Sequence, residues 1–158
     1  MSAAYVALGA NLGDPASTVR AAFGALANLP DSRVVRCSAL YRTAPVGIVD
    51  QPDFINAVAL LETTLAPQAL LDELLSIERR FGRQRAEKNG PRTLDLDLLL
   101  YDNCHIDLPE LTLPHPRLHL RAFVLQPLLE IAPDLRLPGR GPISAWLPAV
   151  ANQGCVRL

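Results

Sequence analysis

The stretch of sequence that most constrains the fold lies past the middle of the chain, where leucine and aspartate alternate at Leu94, Asp95, Leu96, Asp97 and Leu98. Successive side chains of a β-strand point to opposite faces, so the two aspartates share one face and the three leucines share the other. The aspartates lie about 6.6 to 6.8 Å apart along such a strand. This stretch predicts a sheet whose leucine face packs against a core and whose aspartate face is open to solvent or to a ligand.

The elements around this strand follow from hydrophobic spacing and from start and stop residues. In chain order we predict a strand at 5–8, a helix from Asp14 to about Leu29, strands at 34–41 and 54–61, a helix from Pro67 to near Gly82, and a strand at 94–101. The two middle strands are expected to pair antiparallel. This β-α-β-β-α-β order predicts an α+β fold, a ferredoxin-like sandwich with helices on one face of an antiparallel sheet and the other face free for ligands.

The part of the chain after this core predicts a helical C-terminal extension. Residues 118–131 have helical apolar spacing, residues 133–141 are rich in proline and glycine, and a short last element at 143–150 carries Trp146. The sequence has no internal repeat and no stretch typical of an interdomain linker. Because 158 residues is the length of one ordinary domain, residues 1–158 are expected to form a single domain.

Composition and charge exclude several classes of protein. The chain is 49% hydrophobic, and 15 basic against 16 acidic residues give a net charge of −1, so no global field draws it to nucleic acid or to an anionic membrane. No basic leader precedes an apolar stretch, and no apolar run is long enough to span a bilayer. We therefore expect a cytoplasmic protein without nucleic-acid or membrane partners. Its three widely spaced cysteines favour reduced, packed thiols over disulfides or zinc.

Two adjacent features carry the strongest chemical signal. Asp95 and Asp97 offer hard oxygen donors, and two magnesium ions can share such a pair with phosphate oxygens. Directly before them lie six of the 15 basic residues, namely Arg79, Arg80, Arg83, Arg85, Lys88 and Arg92. Guanidinium groups bind phosphate oxygens bidentately, so the two features together favour a nucleotide triphosphate. Each feature has an alternative when it is considered alone. The aspartate pair is then the solvated face of an edge strand, and the basic cluster is a solvated charged loop or a patch that binds an RNA backbone.

Three single residues have a functional interpretation, and two of them, Glu78 and Asn56, also have a structural one. Glu78 lies on the apolar stripe of the second predicted helix, where it either binds a cation or a ligand amine, or reaches water or a nearby arginine at the edge of the stripe. Asn56 stands among alternating apolar residues and either reads the polar edge of a heteroaromatic ring or makes a buried hydrogen bond. His115, between two prolines, is placed to offer a hydrogen-bond donor to phosphate.

Several blocks of sequence that contain these residues together resemble one family. The blocks are Ala7-Leu8-Gly9-Ala10-Asn11-Leu12-Gly13-Asp14, Tyr41-Arg42-Thr43-Ala44-Pro45, Gln51-Pro52-Asp53-Phe54-Ile55-Asn56, Gly90 to Leu100, and Leu113-Pro114-His115-Pro116-Arg117. In this order they resemble the hydroxymethyldihydropterin pyrophosphokinases of folate biosynthesis. The Gly-Pro-Arg-Thr-Leu-Asp-Leu-Asp run is the most specific of the blocks, and the resemblance covers nearly the whole catalytic domain of that family.

The resemblance implies an enzyme that transfers a diphosphoryl group from ATP to the hydroxymethyl group of 6-hydroxymethyl-7,8-dihydropterin and releases AMP. It implies that Asp95 and Asp97 hold two magnesium ions and act with Arg83 and Arg92, the arginines belonging to an arginine-rich lid loop. The other ATP-side residues that it implies are Glu78, Arg85, Thr112, His115 and Arg121. The pterin-side residues that it implies are Thr43, Ala44, Val46, Phe54, Asn56 and Phe123. The expected assembly is a monomer that binds two small molecules.

The sequence departs from the family pattern at two places. The family usually carries a bulky aromatic residue before Gly-Pro-Arg, whereas this chain has Lys88 and Asn89. Phe54 stands where a tyrosine is common, which removes a hydroxyl group and keeps the ring. Two other functions stay open: a ferredoxin-like RNA-binding module, which the aspartate pair and the small number of aromatic residues disfavour, and a pterin-binding scaffold without catalytic activity.

Overall fold

The computed structural model describes residues 1–45, 50–82 and 93–158. Its α-helices are α1 (Pro15–Ala27), α2 (Pro67–Arg80) and α3 (Ala122–Ile131). Its strands are β1 (Ser2–Ala10), β2 (Ser32–Cys37), β3 (Tyr41–Thr43), β4 (Phe54–Thr63), β5 (Asp95–Tyr101), β6 (Ile106–Leu108), β7 (Leu111–Leu113), β8 (Arg136–Leu137), β9 (Gly141–Pro142) and β10 (Cys155–Arg157). Short 3-10 helices cover Leu118–Leu120, Ile143–Trp146 and Pro148–Val150.

The strand order is that of a ferredoxin-like α+β sandwich, as the sequence predicts. The main sheet has the order β10-β3-β4-β1-β5, and β2 pairs with the far half of β4. β4 lies between β1 and β2, so the connection through α1 passes over β4. β1 lies between β4 and β5, so the connection through α2 passes over β1. This topology places β1 and β5, which carry the glycine and aspartate blocks, side by side.

The strand predicted at 34–41 is two short strands, β2 and β3, with a break at Ser38. The N–H of Ser38 donates to the carbonyl of Val58 at 2.9 Å, and the Ser38 hydroxyl oxygen accepts from the Val58 N–H at 2.9 Å. A side chain thus replaces a backbone carbonyl in the ladder, which lets the chain leave β4 and rejoin it at Tyr41. The prediction of one strand was wrong for this reason.

The leucine face of β5 packs in the main core, as predicted. Leu94, Leu96 and Leu98 join the inward residues of β1 and β4 beneath α1 and α2, whose buried residues include Leu26 and Leu74. The helices also begin and end where the sequence indicates. Asp14 caps α1 by accepting from the Ser17 N–H at 3.3 Å and the Ser17 hydroxyl at 2.8 Å. Gly82, with φ of 79°, follows the end of α2.

The expectation that the opposite face of the sheet is free for ligands was wrong over most of its length. There Val58, Leu99 and Leu100 pack against α3 and the C-terminal segment in a second apolar cluster. Val58 and Leu99 lie on this face by simple alternation, and a β-bulge adds Leu100, because the register of β1 with β5 shifts between Tyr5 and Val6. Only the end of this face that carries Asp95 is left uncovered by α3.

The predicted helical extension is α3 together with three 3-10 helices, and the chain then returns to the sheet. β10 pairs antiparallel with β3, with Cys155 opposite Thr43. Glu130 holds α3 against the start of β3, because its carboxylate accepts from the Ala39 N–H at 3.0 Å and from the Tyr41 hydroxyl at 2.8 Å. Within the described part of the chain, no helix has the length and apolar character needed to cross a membrane.

Candidate active site

A cavity of about 1290 Å³ occupies the uncovered end of the sheet, between the ends of β1, β4 and β5 and the start of α3. The backbone register defines its floor. Gly9 of β1 lies opposite Asn56 of β4 on one side and opposite Asp95 of β5 on the other. Ala7 is likewise opposite Asp97. Two small residues in the central strand therefore leave open space between the polar side chains of the flanking strands.

The carboxylates of Asp95 and Asp97 line this cavity from the same face of β5, as the alternation predicts. Leu96 between them donates its backbone N–H to the Glu78 carboxylate at 2.7 Å. β5 is an edge strand of the sheet, so an N–H directed outward needs a partner other than a strand. Glu78 is 3% exposed and supplies that partner from α2. The structure therefore gives Glu78 a backbone contact in addition to a place in the cavity wall.

His115 reaches the cavity because the loop that carries it is fixed to β5. The His115 N–H donates to the Leu99 carbonyl at 2.9 Å, and His115 Nδ1 accepts from the Arg117 N–H at 3.1 Å. Burial, and after it the positive charges of Arg121 and Arg117, lower the pKa of His115 to about 4, against the opposing negative charge of Asp95. His115 is therefore neutral at pH 7, and its Nε2 carries the proton as a hydrogen-bond donor.

Arg121 stands at the start of α3 with its guanidinium carbon 5.4 Å from the centroid of the Phe123 ring. Burial lowers the pKa of Arg121, while the negative charge of Asp97 raises it. An arginine stays protonated despite such a shift, so the cavity keeps a fixed positive charge near its carboxylates. The same side chain covers one face of a ring that borders the cavity.

The Asn56 amide is oriented by its neighbour on the next strand. Asn56 is 6% exposed, and its Nδ2 donates to Thr43 Oγ1 at 2.8 Å. The structural interpretation of Asn56 is thus borne out for this donor, and the same side chain lines the cavity. Phe54 comes two residues earlier on the same face of β4, and Phe123 enters from α3. Two aromatic rings and one amide therefore border the same cavity.

Eleven of the residues that the sequence proposes for the site line this one cavity. They are Thr43, Ala44, Phe54, Asn56, Glu78, Asp95, Asp97, Thr112, His115, Arg121 and Phe123. The predictions for Val46, Arg83, Arg85 and Arg92, and the departure at Lys88 and Asn89, lie outside the described residues. They come from four strands, two helices and the loops between them, and what they bind stays a prediction.

The residues fit a magnesium site that is completed by a substrate. Within residues 1–45, 50–82 and 93–158, no three histidine, cysteine, aspartate or glutamate side chains form a group that could hold a metal. Mg²⁺ does not require such a group, because it keeps several water ligands and binds through one or two carboxylates plus substrate phosphates. Asp95 and Asp97 supply such a pair in the wall of the cavity.

Sequence reasoning missed several residues of the cavity wall. The sequence pattern assigns Gly9 to a loop, although a glycine inside a strand is itself a sign that another group approaches closely. Arg117 lies in a matching block without a predicted role, and it lines the cavity beside His115. Gln153 also lines the cavity. It lies in a short segment without periodicity, and no local signal in the sequence points to it.

Comparison with known proteins gives a consistent result. The family model described as 7,8-dihydro-6-hydroxymethylpterin-pyrophosphokinase (HPPK) matches residues 5–133. A Pseudomonas aeruginosa protein named 2-amino-4-hydroxy-6-hydroxymethyldihydropteridine pyrophosphokinase is 49% identical over 154 residues, which is 98% of this chain and 95% of that protein. A Haemophilus influenzae protein of the same name is 46% identical over 158 residues, or 100% of this chain and 99% of the relative.

Solved structures support the fold. The crystal structure of wild-type Plasmodium falciparum HPPK-DHPS with pterin and p-hydroxybenzoate matches with a TM-score of 0.75 at 15% identity. The match covers 99% of this chain but only 46% of that longer chain. At this identity the likeness shows a shared fold, in agreement with the ferredoxin-like sandwich described above.

Proposed function

The chain belongs to the 7,8-dihydro-6-hydroxymethylpterin-pyrophosphokinase family, a family of diphosphotransferases of folate biosynthesis, and on that premise we propose its reaction. It transfers the β- and γ-phosphoryl groups of ATP to the hydroxymethyl oxygen of 6-hydroxymethyl-7,8-dihydropterin. A bond forms between that oxygen and the β-phosphorus, and the bond from the β-phosphorus to the α–β bridging oxygen breaks. AMP leaves with the bridging oxygen, and the hydroxyl proton is released.

The observation that carries this proposal is the pairing of two unlike chemistries in one cavity. The lining divides by chemistry into carboxylates and cations, represented by Asp97 and Arg121, and aromatic rings and an amide, represented by Phe54 and Asn56. A volume of about 1290 Å³ is larger than most single-ligand pockets and has room for two small substrates. A nucleotide and a flat heterocycle fit this division.

On the ATP side, the described residues offer a neutral donor and fixed charges. His115 Nε2–H is placed to donate to a phosphate oxygen, Arg121 supplies positive charge, and Thr112 supplies a hydroxyl. Glu78 acts on this side by holding the backbone between the two aspartates. Asp95 and Asp97 would hold magnesium, two ions in our proposal, which when bound would neutralise charge on the triphosphate. Phosphoryl transfer depends mainly on such positioning and electrostatic stabilisation.

On the pterin side, Phe54 and Phe123 bind the two faces of the flat ring, and Asn56 binds its polar edge. The Asn56 amide is already oriented by Thr43, so little conformational freedom is lost when the ring binds. We place Ala44 and Val46 in the same subsite, Val46 from the sequence alone. The loss of a hydroxyl relative to the tyrosine common at Phe54 leaves the stacking surface unchanged.

We further propose that the arginine-rich segment at 83–92 forms a lid in which Arg83, Arg85 and Arg92 bind the triphosphate. The support is the cluster of basic residues in the sequence and the family resemblance. Hydrogen exchange tests the lid. Amides of residues 83–92 should gain protection when a non-hydrolysable ATP analogue and the pterin bind together. Equal protection with and without ligands contradicts closure.

The same proposal includes a monomeric, cytoplasmic enzyme whose partners are the two small substrates and not nucleic acid or membrane. The near-neutral net charge supports the absence of a polyanion partner. Light scattering coupled to size exclusion tests the assembly. A dimer mass at micromolar concentration contradicts it.

An assay of AMP release tests the reaction itself. With ATP, magnesium and 6-hydroxymethyl-7,8-dihydropterin, the protein should release one AMP for each pterin diphosphate formed. Omission of the pterin should stop AMP release, and release of ADP in place of AMP would contradict diphosphoryl transfer. Binding of both ligands without any AMP would instead support the pterin-binding scaffold.

A further inference from the structure

We propose that Gln153 is a positioning residue for Arg121, and that the C-terminal segment thereby takes part in binding the triphosphate. This inference rests on the proposed function, because it needs Arg121 to meet the triphosphate. Gln153 lies 20 residues past the end of the family-model match at residue 133. It lines the cavity even so.

The contacts of Gln153 lie on both sides of Arg121 along the backbone. Gln153 Oε1 accepts from the Ala122 N–H at 2.9 Å, and Gln153 Nε2 donates to the Leu120 carbonyl at 3.1 Å. One side-chain amide therefore binds the peptide groups that precede and follow Arg121. Arg121 has φ of −126° and ψ of 116°, an extended conformation between a 3-10 helix and α3. Fixing these two peptide groups fixes the direction in which the Arg121 side chain leaves the backbone.

The Ala122 N–H needs a partner. Ala122 is the first residue of α3, and the first N–H groups of a helix have no acceptor within the helix. Arg121, at the N-cap position, makes no side-chain capping bond. The Gln153 amide provides an acceptor for the first of these N–H groups, whereas a capping serine or aspartate usually accepts from the second or third. Its second bond, to Leu120, adds a constraint that an ordinary cap lacks.

The position of Gln153 is itself fixed from two sides. Its N–H donates to the Val150 carbonyl at 3.1 Å, and Val150 is buried in the second apolar cluster. Gly154, with φ of 72°, then turns the chain into β10, where Cys155 pairs with Thr43. Positive φ is a conformation that glycine adopts readily. Gln153 thus joins the pterin-side strand β3 to the start of α3 through a short stretch of chain.

The position of the Arg121 guanidinium depends on this geometry, because the guanidinium interacts with both Phe123 and Asp97. Its carbon lies 5.4 Å from the Phe123 ring centroid, and it is electrostatically coupled to Asp97. Without the Gln153 amide, the backbone at 120–122 gains freedom, and the guanidinium spends less time over the Phe123 ring. The expected consequence is weaker binding of the triphosphate with little change in ring binding.

A double-mutant cycle tests the proposal, with the dissociation constant of a non-hydrolysable ATP analogue plus magnesium measured by calorimetry. Gln153→Ala should weaken binding about fivefold to tenfold in the wild-type background. In an Arg121→Ala background the same change should matter less than about twofold, because the group through which Gln153 acts is gone. Equal effects in both backgrounds would show a purely structural role and overturn the proposal.

Two further variants distinguish hydrogen bonding by Gln153 from packing of its side chain. Gln153→Met keeps the length of the side chain and removes both hydrogen bonds, so it should reproduce the alanine effect; wild-type binding in Gln153→Met would assign the effect to packing and overturn the proposal. Asn152→Ala, at the exposed neighbouring residue, is the matched control and should bind the analogue like wild type. The wild-type chain is also assayed for AMP release. If the wild type releases no AMP, the proposed function and this inference are both overturned. If the wild type is active but Gln153→Ala has the same effect with and without Arg121, the inference alone is overturned.

Discussion

Gly9 and Asn56 face each other across β1 and β4, and a methyl group at Gly9 would lie 2.8 Å from Asn56 Oδ1. That separation is shorter than any ordinary contact of a β-carbon, so an alanine at this position displaces the amide. The amide is held on its other side by Thr43 at 2.8 Å. The missing side chain of Gly9 is therefore what lets Asn56 lie across the floor of the cavity in its observed orientation.

Gly9→Ala should weaken pterin binding by about 1–3 kcal/mol, because the displaced Asn56 amide loses its hydrogen bond either to Thr43 or to the polar edge of the pterin. The affinity for an ATP analogue alone should hardly change. The matched control is Gly24→Ala in α1, where an added methyl group meets nothing within 4 Å. That change should leave both affinities intact and stabilise the fold by about 0.5–1 kcal/mol. Equal loss of pterin binding in both variants would contradict the close-contact argument.

Asn56→Ala tests whether the cavity has two subsites. Removal of the amide leaves the polar edge of the ring unpaired in a desolvated pocket, which should cost about 1–3 kcal/mol of pterin affinity. Calorimetry with each ligand separately gives the answer. ATP affinity reduced as much as pterin affinity would mean that the amide only supports the fold. Thr43→Val, which removes the acceptor for Asn56 Nδ2, should give a smaller loss in the same direction.

Asp97→Asn should lower turnover by about a hundredfold or more, because a neutral amide cannot offset the charge of a magnesium ion on the triphosphate. The circular dichroism spectrum should stay unchanged, since Asp97 lines the cavity and not the core. Asp107→Asn, at an exposed position of β6, is the control and should keep wild-type turnover. Wild-type turnover of Asp97→Asn at saturating magnesium would show that this pair is not the metal site.

The pKa of His115 predicts a pH dependence of stability. The pKa is about 4 in the folded protein and 6.5 in the unfolded reference. Between these values the unfolded chain binds more protons, so the free energy of unfolding falls as the pH is lowered from about 6.5 toward 4. His115→Gln should remove about 1–3 kcal/mol of this fall in urea titrations. His105→Gln, at an exposed position, is the control, and its free energy of unfolding should follow the same pH dependence as that of the wild type.

The parts of the fold that the sequence predicted are those specified by local signals. Asp14 and Pro15 mark the start of α1, and the leucines that alternate with Asp95 and Asp97 mark the buried face of β5. Such signals involve residues a few positions apart, so they can be read without knowledge of distant partners. Most site residues came from the family resemblance, whose blocks are short contiguous runs that can be recognised in the same way.

The remaining features depend on contacts between distant residues. The packing of α3 on the second face brings Leu125 and Leu128 together with Val58 and Leu99, which alternation in one strand cannot show. β10 forms because Cys155 meets Thr43, a residue 112 positions earlier, and three residues carry no periodicity of their own. Gln153 has a role only because this pairing places it beside Ala122. For Asn56, the contact with Thr43 confirms the structural interpretation, and binding of a ring edge by the same amide, which lines the cavity, stays a prediction.

Two substitutions of Glu78 test whether its buried carboxylate acts on ATP directly or through the backbone of β5. It accepts a 2.7 Å hydrogen bond from the Leu96 N–H, between the two aspartates, and is only 3% exposed. Glu78→Gln keeps an oxygen that can accept this bond, so stability and ATP-analogue affinity should both stay close to wild type. Glu78→Leu leaves a buried N–H without its acceptor, which should cost about 1–3 kcal/mol of stability and reduce affinity because the strand carrying Asp95 and Asp97 is no longer held.

The two variants distinguish the routes because charge and hydrogen bonding change separately. If the Glu78 carboxylate bound ATP or its cation directly, Glu78→Gln would lower affinity about tenfold while leaving the urea midpoint unchanged. If Glu78 acts through Leu96, affinity follows stability, and only Glu78→Leu changes either. Glu73→Leu is the control for placing leucine on this helix, since Glu73 is a half-buried glutamate of α2 outside the cavity wall. It should leave analogue affinity unchanged, which assigns any loss in Glu78→Leu to the missing acceptor at β5.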